Sequence, residues 1–104
     1  MDPVLLGAVK ILLAVQAAQA TVGGAVGDQQ TGAPLVGAIV ALPDLNRVTT
    51  TGPGGRYLLP QVPAGPQRIT VRFLGHTPRT LAAIVPAEGQ LEINVSLPAL
   101  PVRL

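Results

Sequence analysis

The chain has 104 residues, of which 48% are hydrophobic, and seven Lys and Arg against five Asp and Glu give it a formal net charge of +2. That length holds one domain with a single small core, and so slight and scattered a charge excess gives no reason to expect a nucleic-acid partner. There is no cysteine, so an exported domain of this size has to rely on packing and sheet hydrogen bonds rather than disulfides.

Residues 1–20, MDPVLLGAVKILLAVQAAQA, are nearly all apolar or small and end in Ala18-Gln19-Ala20, the small-x-small pattern of a signal-peptidase site. They are expected to form a secretory signal cleaved before Thr21, although Asp2 and Lys10 depart from the usual charge pattern. An uncleaved membrane anchor and a misassigned start are the alternatives. A Lys in the middle of the apolar run is costly for an anchor. Beyond the leader remain six Arg and the carboxylates Asp28, Asp44, Glu88 and Glu92.

The first strand is predicted at Thr21 to Gly27, with Val22, Gly24 and Val26 on one side. It leaves through Asp28 into the turn chemistry of Asp28 to Pro34, where Asp and Thr bond local backbone and Gly32 supplies a positive φ. A second strand follows at Gly37 to Leu42, with Ala38, Val40 and Leu42 sharing a face until Pro43-Asp44 stops it. The β-branched run Arg47 to Thr51 is the expected edge strand. Gly52-Pro53-Gly54-Gly55 is expected to act as a hairpin turn into Arg56 to Leu59, where Tyr57 and Leu59 point inward.

Pro60 to Pro66 reads as a loop whose Val62 plugs the end of the core. In the next strand Arg68, Thr70 and Arg72 alternate with Ile69, Val71 and Phe73, giving one basic wet face and one core face. After the turn Gly75 to Pro78, the segment Arg79 to Val85 is apolar without clean alternation. Past Pro86 to Gly89, the final strand buries Leu91, Ile93, Val95 and Leu97. Seven short strands at roughly ten-residue spacing are the signature of an antiparallel β-sandwich. Aromatic residues are limited to Tyr57 and Phe73, so the core is built from Val, Leu, Ile and Ala.

The chemistry-bearing residues do not form a catalytic set. One His, four carboxylates outside the leader and no Cys supply neither a zinc site nor an oriented nucleophile. Asp28, Gln29, Gln30 and Thr31 hold one carboxylate, too little for calcium. Gly52 to Gly55 lacks the Lys-Ser/Thr and helix of a phosphate loop. His76 could pair with Asp28 or Asp44 but reads first as a turn residue. No catalytic, cofactor-binding or metal-binding residue is therefore expected. Arg68, Arg72, His76 and Arg79 are the candidates for an interaction surface.

Taken in order, Gly24-x-Val26-x-Asp28, Thr31-Gly32-x-Pro34-Leu35-x-Gly37-Ala38-x-Val40, Gly55-Arg56-Tyr57-x-Leu59, Val62-Pro63-x-Gly65, Val71-x-Phe73-x-Gly75 and Asn94-x-Ser96-Leu97 resemble the carboxypeptidase regulatory-like domain. The resemblance covers residues 21–98 and leaves 99–104 as a tail. Gly52 stands where the family often has Asp, and His76 where it usually has Tyr. The resemblance implies a transthyretin-like, seven-stranded Greek-key β-sandwich without enzymatic activity or cofactor. Similar modules sit beside metallocarboxypeptidase domains, at the start of TonB-dependent outer-membrane receptors and in bacterial surface proteins. It therefore implies an exported accessory module of the periplasm, outer membrane or cell surface, contacting another envelope protein or acting as a spacer. A carbohydrate- or peptide-binding module, and the severed first domain of a TonB-dependent receptor, are the alternative readings.

Overall fold

A computed structural model describes residues 18–101. The expected leader up to residue 17, and residues 102–104 of the expected tail, lie outside the described residues. The described chain forms eight strands: β1 (Gln19–Asp28), β2 (Ile39–Leu42), β3 (Arg47–Thr50), β4 (Arg56–Pro63), β5 (Gly65–Arg72), β6 (Arg79–Val85), β7 (Gln90–Glu92) and β8 (Val95–Leu97). They build two sheets. One places β1 between β4 and the β7/β8 pair, and the other runs β3-β2-β5-β6.

Period-two patterning explains the layering, because successive side chains of a strand point to opposite faces. Ala20, Val22 and Val26 of β1, Val40 and Leu42 of β2, Tyr57 and Leu59 of β4, and Ile69 and Val71 of β5 all point into the space between the sheets. Val62 is fully buried at the end of this core. In β6, where the composition hides the pattern, Leu81 and Ala83 pack against the core while Thr80, Ala82 and Ile84 face out. The edge position expected for Arg47 to Thr51 is the one β3 occupies.

Four details differ from the sequence reading. Gly52 to Gly55 is not a hairpin turn: β3 and β4 lie in different sheets, so this segment carries the chain across the sandwich. Gly55 (φ 72°) makes the crossing possible, because a Cβ there would stand 2.5 Å from the Val26 carbonyl oxygen. Pro60 to Pro66 is not a loop, since β4 runs to Pro63 and β5 begins at Gly65. Pairing between β1 and β4 slips between Ala20 and Val22, and Gln61 has φ 56°. Such a bulge on an edge strand accepts a proline, which has no N–H to give to the ladder.

The third difference concerns the final strand, which is broken at Ile93-Asn94 into β7 and β8; counted as one, it restores seven. The fourth is direction. Both β7 and β8 run parallel to β1, an arrangement that needs a long crossover, here supplied by all of the chain between them. In addition, β1 reaches back past Thr21: Gln19 and Ala20 pair with Pro63 and Val62, and Ala64 N–H donates to the Ala18 carbonyl at 3.0 Å. The expected cleavage point thus falls within a paired strand.

The break at Ile93-Asn94 is held from three sides. Ile93 N–H donates to the Gly23 carbonyl at 2.8 Å, Ala25 N–H to Asn94 Oδ1 at 2.9 Å, and the Tyr57 hydroxyl to the Ile93 carbonyl at 2.7 Å. Gly24 lies directly beneath, where a Cβ would come within 1.9 Å of the Ile93 carbonyl oxygen. Burial raises the Tyr57 phenol to about 12, with Glu92 adding to the effect. Gly24→Ala should therefore destabilise the fold by about 3 kcal/mol or more in urea unfolding. Gly23→Ala, whose Cβ meets neighbours at 3.1–3.2 Å, should cost less, and Tyr57→Phe about 1 kcal/mol.

Thr51, just past β3, is the one buried polar side chain among the described residues. Its hydroxyl donates to the Leu35 carbonyl and accepts from Ala38 N–H, while its backbone exchanges bonds with Gly37 and Ala38. The segment entering β2 is thereby tied to the segment leaving β3. Thr51→Val keeps the shape but leaves two buried backbone groups unpaired, so unfolding measurements should show a loss of about 2–3 kcal/mol. Thr51→Ser should retain most of the stability.

Candidate functional site

The four sequence-derived candidates do not form a single patch. Arg68 and Arg72 both project from the outer face of β5, opposite Ala82 and Ile39 respectively. Arg68 is already engaged, its guanidinium bonding both carboxylate oxygens of Asp44 at 2.7 and 3.1 Å. Each partner shifts the other toward its charged form, with Asp44 held below the usual carboxylate range. Both side chains are more than half exposed, so the pair adds little to stability. Arg79 sits opposite Val71, the other parity from Arg68 and Arg72, and donates to the Ser96 carbonyl at 2.8 Å. The Arg72 side chain makes no hydrogen bond or ion pair among the described residues.

His76 is the residue the fold uses most. Its Nε2 lies 2.8 Å from Asp28 Oδ2, and its Nδ1 lies 3.2 Å from the Leu74 carbonyl oxygen. Both neighbours are acceptors, so both ring nitrogens must donate, and the geometry calls for the imidazolium form. The other oxygen of Asp28 accepts from Gln30 and Thr31 N–H groups at 2.8 and 3.0 Å. These backbone bonds, with the His76 bond, hold the Asp28 carboxyl down to about 2. Asp28 in turn raises the His76 imidazole above its ordinary 6.5.

The pair is 13% exposed on each side and joins turns that are 48 residues apart. The ring also packs edge-on against Phe73, with centroids 5.4 Å apart at 63°, so His76 combines an aromatic contact with the ion pair. The same turn captures the end of the domain. Thr77 N–H donates to the Pro98 carbonyl, and Leu100 N–H to that of Gly75. The sequence reading had Asp28 as one of two possible partners, but only the sandwich brings it to His76 ahead of Asp44.

Beside this turn lies an open groove of about 690 Å³, walled by Ile39, Arg72, Phe73, Leu74, Pro78 and Leu100. Leu74 stands 94% exposed at its rim, an unusual position for a large apolar side chain with Leu100 also exposed nearby. A second groove of about 430 Å³ is lined by Gly23, Arg56, Leu58 and Glu92 of the other sheet together with Thr49 and Thr50 of β3. Its one aromatic, Tyr57, is buried. Among the described residues, no three His, Cys, Asp or Glu side chains gather into a metal-binding group.

Fold and site together define a small two-sheet β-sandwich module whose His–Asp pair serves its own turns. The sequence pattern of the carboxypeptidase regulatory-like domain matches residues 21–98, and the chain belongs to that family. No curated protein matches it. Among solved structures it is similar to a chain of the type II cohesin–X-dockerin complex from Acetivibrio cellulolyticus, at 17% identity and a TM-score of 0.60, covering 73% of this chain and 52% of that one. It is also similar to a streptococcal ancillary pilin, at 18% identity and TM-score 0.60, over 84% of this chain and 31% of the pilin. A third similar structure is a candidate carbohydrate-binding protein from Bacteroides uniformis, at 16% identity and TM-score 0.58, over 76% and 41%. At these identities the likeness is one of fold. The chain spans about half or less of the length of each.

The Asp28–His76 pair has a definite pH signature. Asp28, lowered from its ordinary value, contributes stability that is present above about pH 4 and lost as pH falls toward 2. His76, raised, contributes stability that is complete below 6.5 and lost as pH rises through its folded value. Stability should thus be greatest between about pH 4 and pH 6.5 and decline on the alkaline side. An NMR titration should place the His76 transition above 6.5 and lower it in Asp28→Asn; an unshifted transition would contradict the geometry.

Proposed function

We propose that this chain is a non-enzymatic accessory module exported to the bacterial cell envelope, acting through contact with another envelope protein or as a spacer. The observation that carries the reading is the fate of the one His–Asp pair. Every donor and acceptor of His76 and Asp28 that faces the protein is taken by local backbone or by the partner, so neither is left to activate a nucleophile or a water. Membership of a regulatory-like family supports the same reading, as does the likeness in fold to a pilin and to a chain of a cohesin–dockerin complex. The groove around Leu74 offers an exposed apolar rim with the uncommitted cation of Arg72, the composition of a protein-contact surface.

Glycan binding has weaker support, because sugar sites present exposed aromatic faces and Tyr57 is turned into the core while Phe73 packs on His76. Sequencing the DNA downstream of Leu104 separates a free-standing module from the first domain of a TonB-dependent receptor.

The test is photo-crosslinking in the native cell, with the reactive group placed at Leu74 and, as a control, at Glu88 in the turn before β7. A discrete adduct to an envelope protein other than a second copy of this chain at position 74, absent at 88 and lost on adding Arg72→Glu, is the expected result. A peptidase or esterase activity of the purified chain that disappears in His76→Gln would overturn it.

A further inference from the structure

Each sheet of an open sandwich ends in strands with unpaired backbone groups, and proteins ordinarily blunt such edges. Three of the four edges here are blunted. The edge at β3 is only four residues long, and Arg47 Nη1 crosses from it to the Gln61 carbonyl at 3.1 Å. The edge at β4 carries Pro60, Pro63 and the bulge at Gln61. The edge formed by β7 and β8 is two three-residue pieces separated by the break at Ile93-Asn94.

The fourth edge, β6, is different. It is seven residues long, Arg79-Thr80-Leu81-Ala82-Ala83-Ile84-Val85, with no proline, glycine or positive φ. All seven pair with β5 in unbroken register on one side. On the other side, none of its backbone groups hydrogen-bonds among the described residues. Between Arg79 and Glu88 there is no charge to repel an incoming strand, and Ile84 is 71% exposed.

We propose that β6 is a self-association edge, whose occupant is the β6 strand of a second copy of this chain, joined antiparallel about a two-fold axis through Ala82. Such an axis stands perpendicular to the sheet and pairs residues of the same facing. All seven residues then find partners. Ala82 meets Ala82 of the second copy, Leu81 meets Ala83, Thr80 covers the exposed Ile84, and Arg79 lies opposite Val85. Small side chains fall at the centre, where the two copies are closest.

The charges agree with this arrangement. The two Arg79 side chains stand six residues apart along the paired strands, about 20 Å, well beyond the screening length of about 8 Å at physiological salt. Each Arg79 comes to the end of the second copy that carries Glu88. A strand from an unrelated protein would need neither the small centre nor this spacing of charge. The result is one continuous eight-stranded sheet across two sandwiches. The proposal deepens the protein-contact reading by naming a partner, but it fails separately: a monomeric chain refutes it while leaving the Leu74 surface to be judged by its own crosslink.

The chain has no native cysteine, which makes the test direct. In the full chain, Ala82→Cys should form a covalent dimer on mild oxidation, because residues facing each other across an antiparallel pair lie about 4.5–5.5 Å apart at Cα, within disulfide range. Thr80→Cys should not, since its counterpart lies four residues away, about 13 Å along the strand. Ala82→Glu gains Arg68 as a cross-strand neighbour within one copy but sets two carboxylates face to face across the axis. It should weaken dimerisation in analytical ultracentrifugation by at least about tenfold while leaving thermal unfolding of the domain unchanged. A chain that remains monomeric at about 100 μM, a concentration at which specific dimers are populated, would overturn the proposal. So would a dimer in which Thr80→Cys crosslinks as readily as Ala82→Cys.

Discussion

The missing side chain at Gly24 is the constraint on which the sheet of β4, β1, β7 and β8 depends. A sandwich with few aromatics has to close tightly, because Val, Leu and Ala span less distance than Phe or Trp. The last strand closes this one by settling onto β1 so closely that no Cβ fits beneath Ile93. Once there, it presents the Ile93 carbonyl to the Tyr57 hydroxyl and the Asn94 side chain to Ala25 N–H. The strand breaks at this point because Asn94 turns its side chain onto the backbone of β1 in place of a ladder bond. Central position, parallel neighbours and glycine at the crossing therefore belong to one arrangement, and through it the first described strand holds the last two.

The same economy appears at the other end of β1. Asp28 ends the strand, organises its own turn through Gln30 and Thr31, and then reaches His76. The turn that His76 anchors binds Pro98 and Leu100 by backbone bonds. One carboxylate thus connects the exit of β1, the exit of β5 and the chain beyond β8. Thr51 performs a comparable service across the second sheet, where one hydroxyl spans the entry to β2 and the departure from β3. In a domain without disulfides, these few side-chain bonds lock the connections that hydrophobic burial alone leaves free, since burial is non-directional.

Much of this was legible in the order of residues, and what was hidden was hidden for physical reasons. Alternation in Arg68 to Phe73 and in Arg56 to Leu59 disclosed both faces of β5 and β4, because a half-buried strand writes its environment at period two. In β6, Ala82 and Ile84 are apolar but face outward, so composition contradicts position and the pattern disappears. Proline marked Pro60 to Pro66 as a loop, yet an edge strand with a bulge tolerates what a central strand cannot. Which sheet a strand joins is a long-range property, and glycine-rich punctuation looks the same whether the chain reverses within a sheet or crosses between sheets. For this reason Gly52 to Gly55 read as a hairpin. The His76–Asp28 contact is likewise long-range: the sequence offered two acidic partners, and only the parallel placement of β8 beside β1 selects one.

Where the polar groups are spent bears on what kind of function the domain can have. A catalytic group must keep a lone pair or proton available to substrate, and such groups are held ready by neighbours rather than consumed by them. In this chain the relation is reversed. The His–Asp pair is saturated by two turns, Arg79 by the last strand, and Arg68 by Asp44. The valences left open are of another kind: the backbone edge of β6, the apolar rim at Leu74 and the cation of Arg72. Backbone edges and apolar rims recognise other polypeptides, by strand addition and by burial, and neither requires a reactive group. A fold that spends its chemistry on its own connections and leaves one strand edge and one apolar rim open supports the reading of a module that contacts another polypeptide.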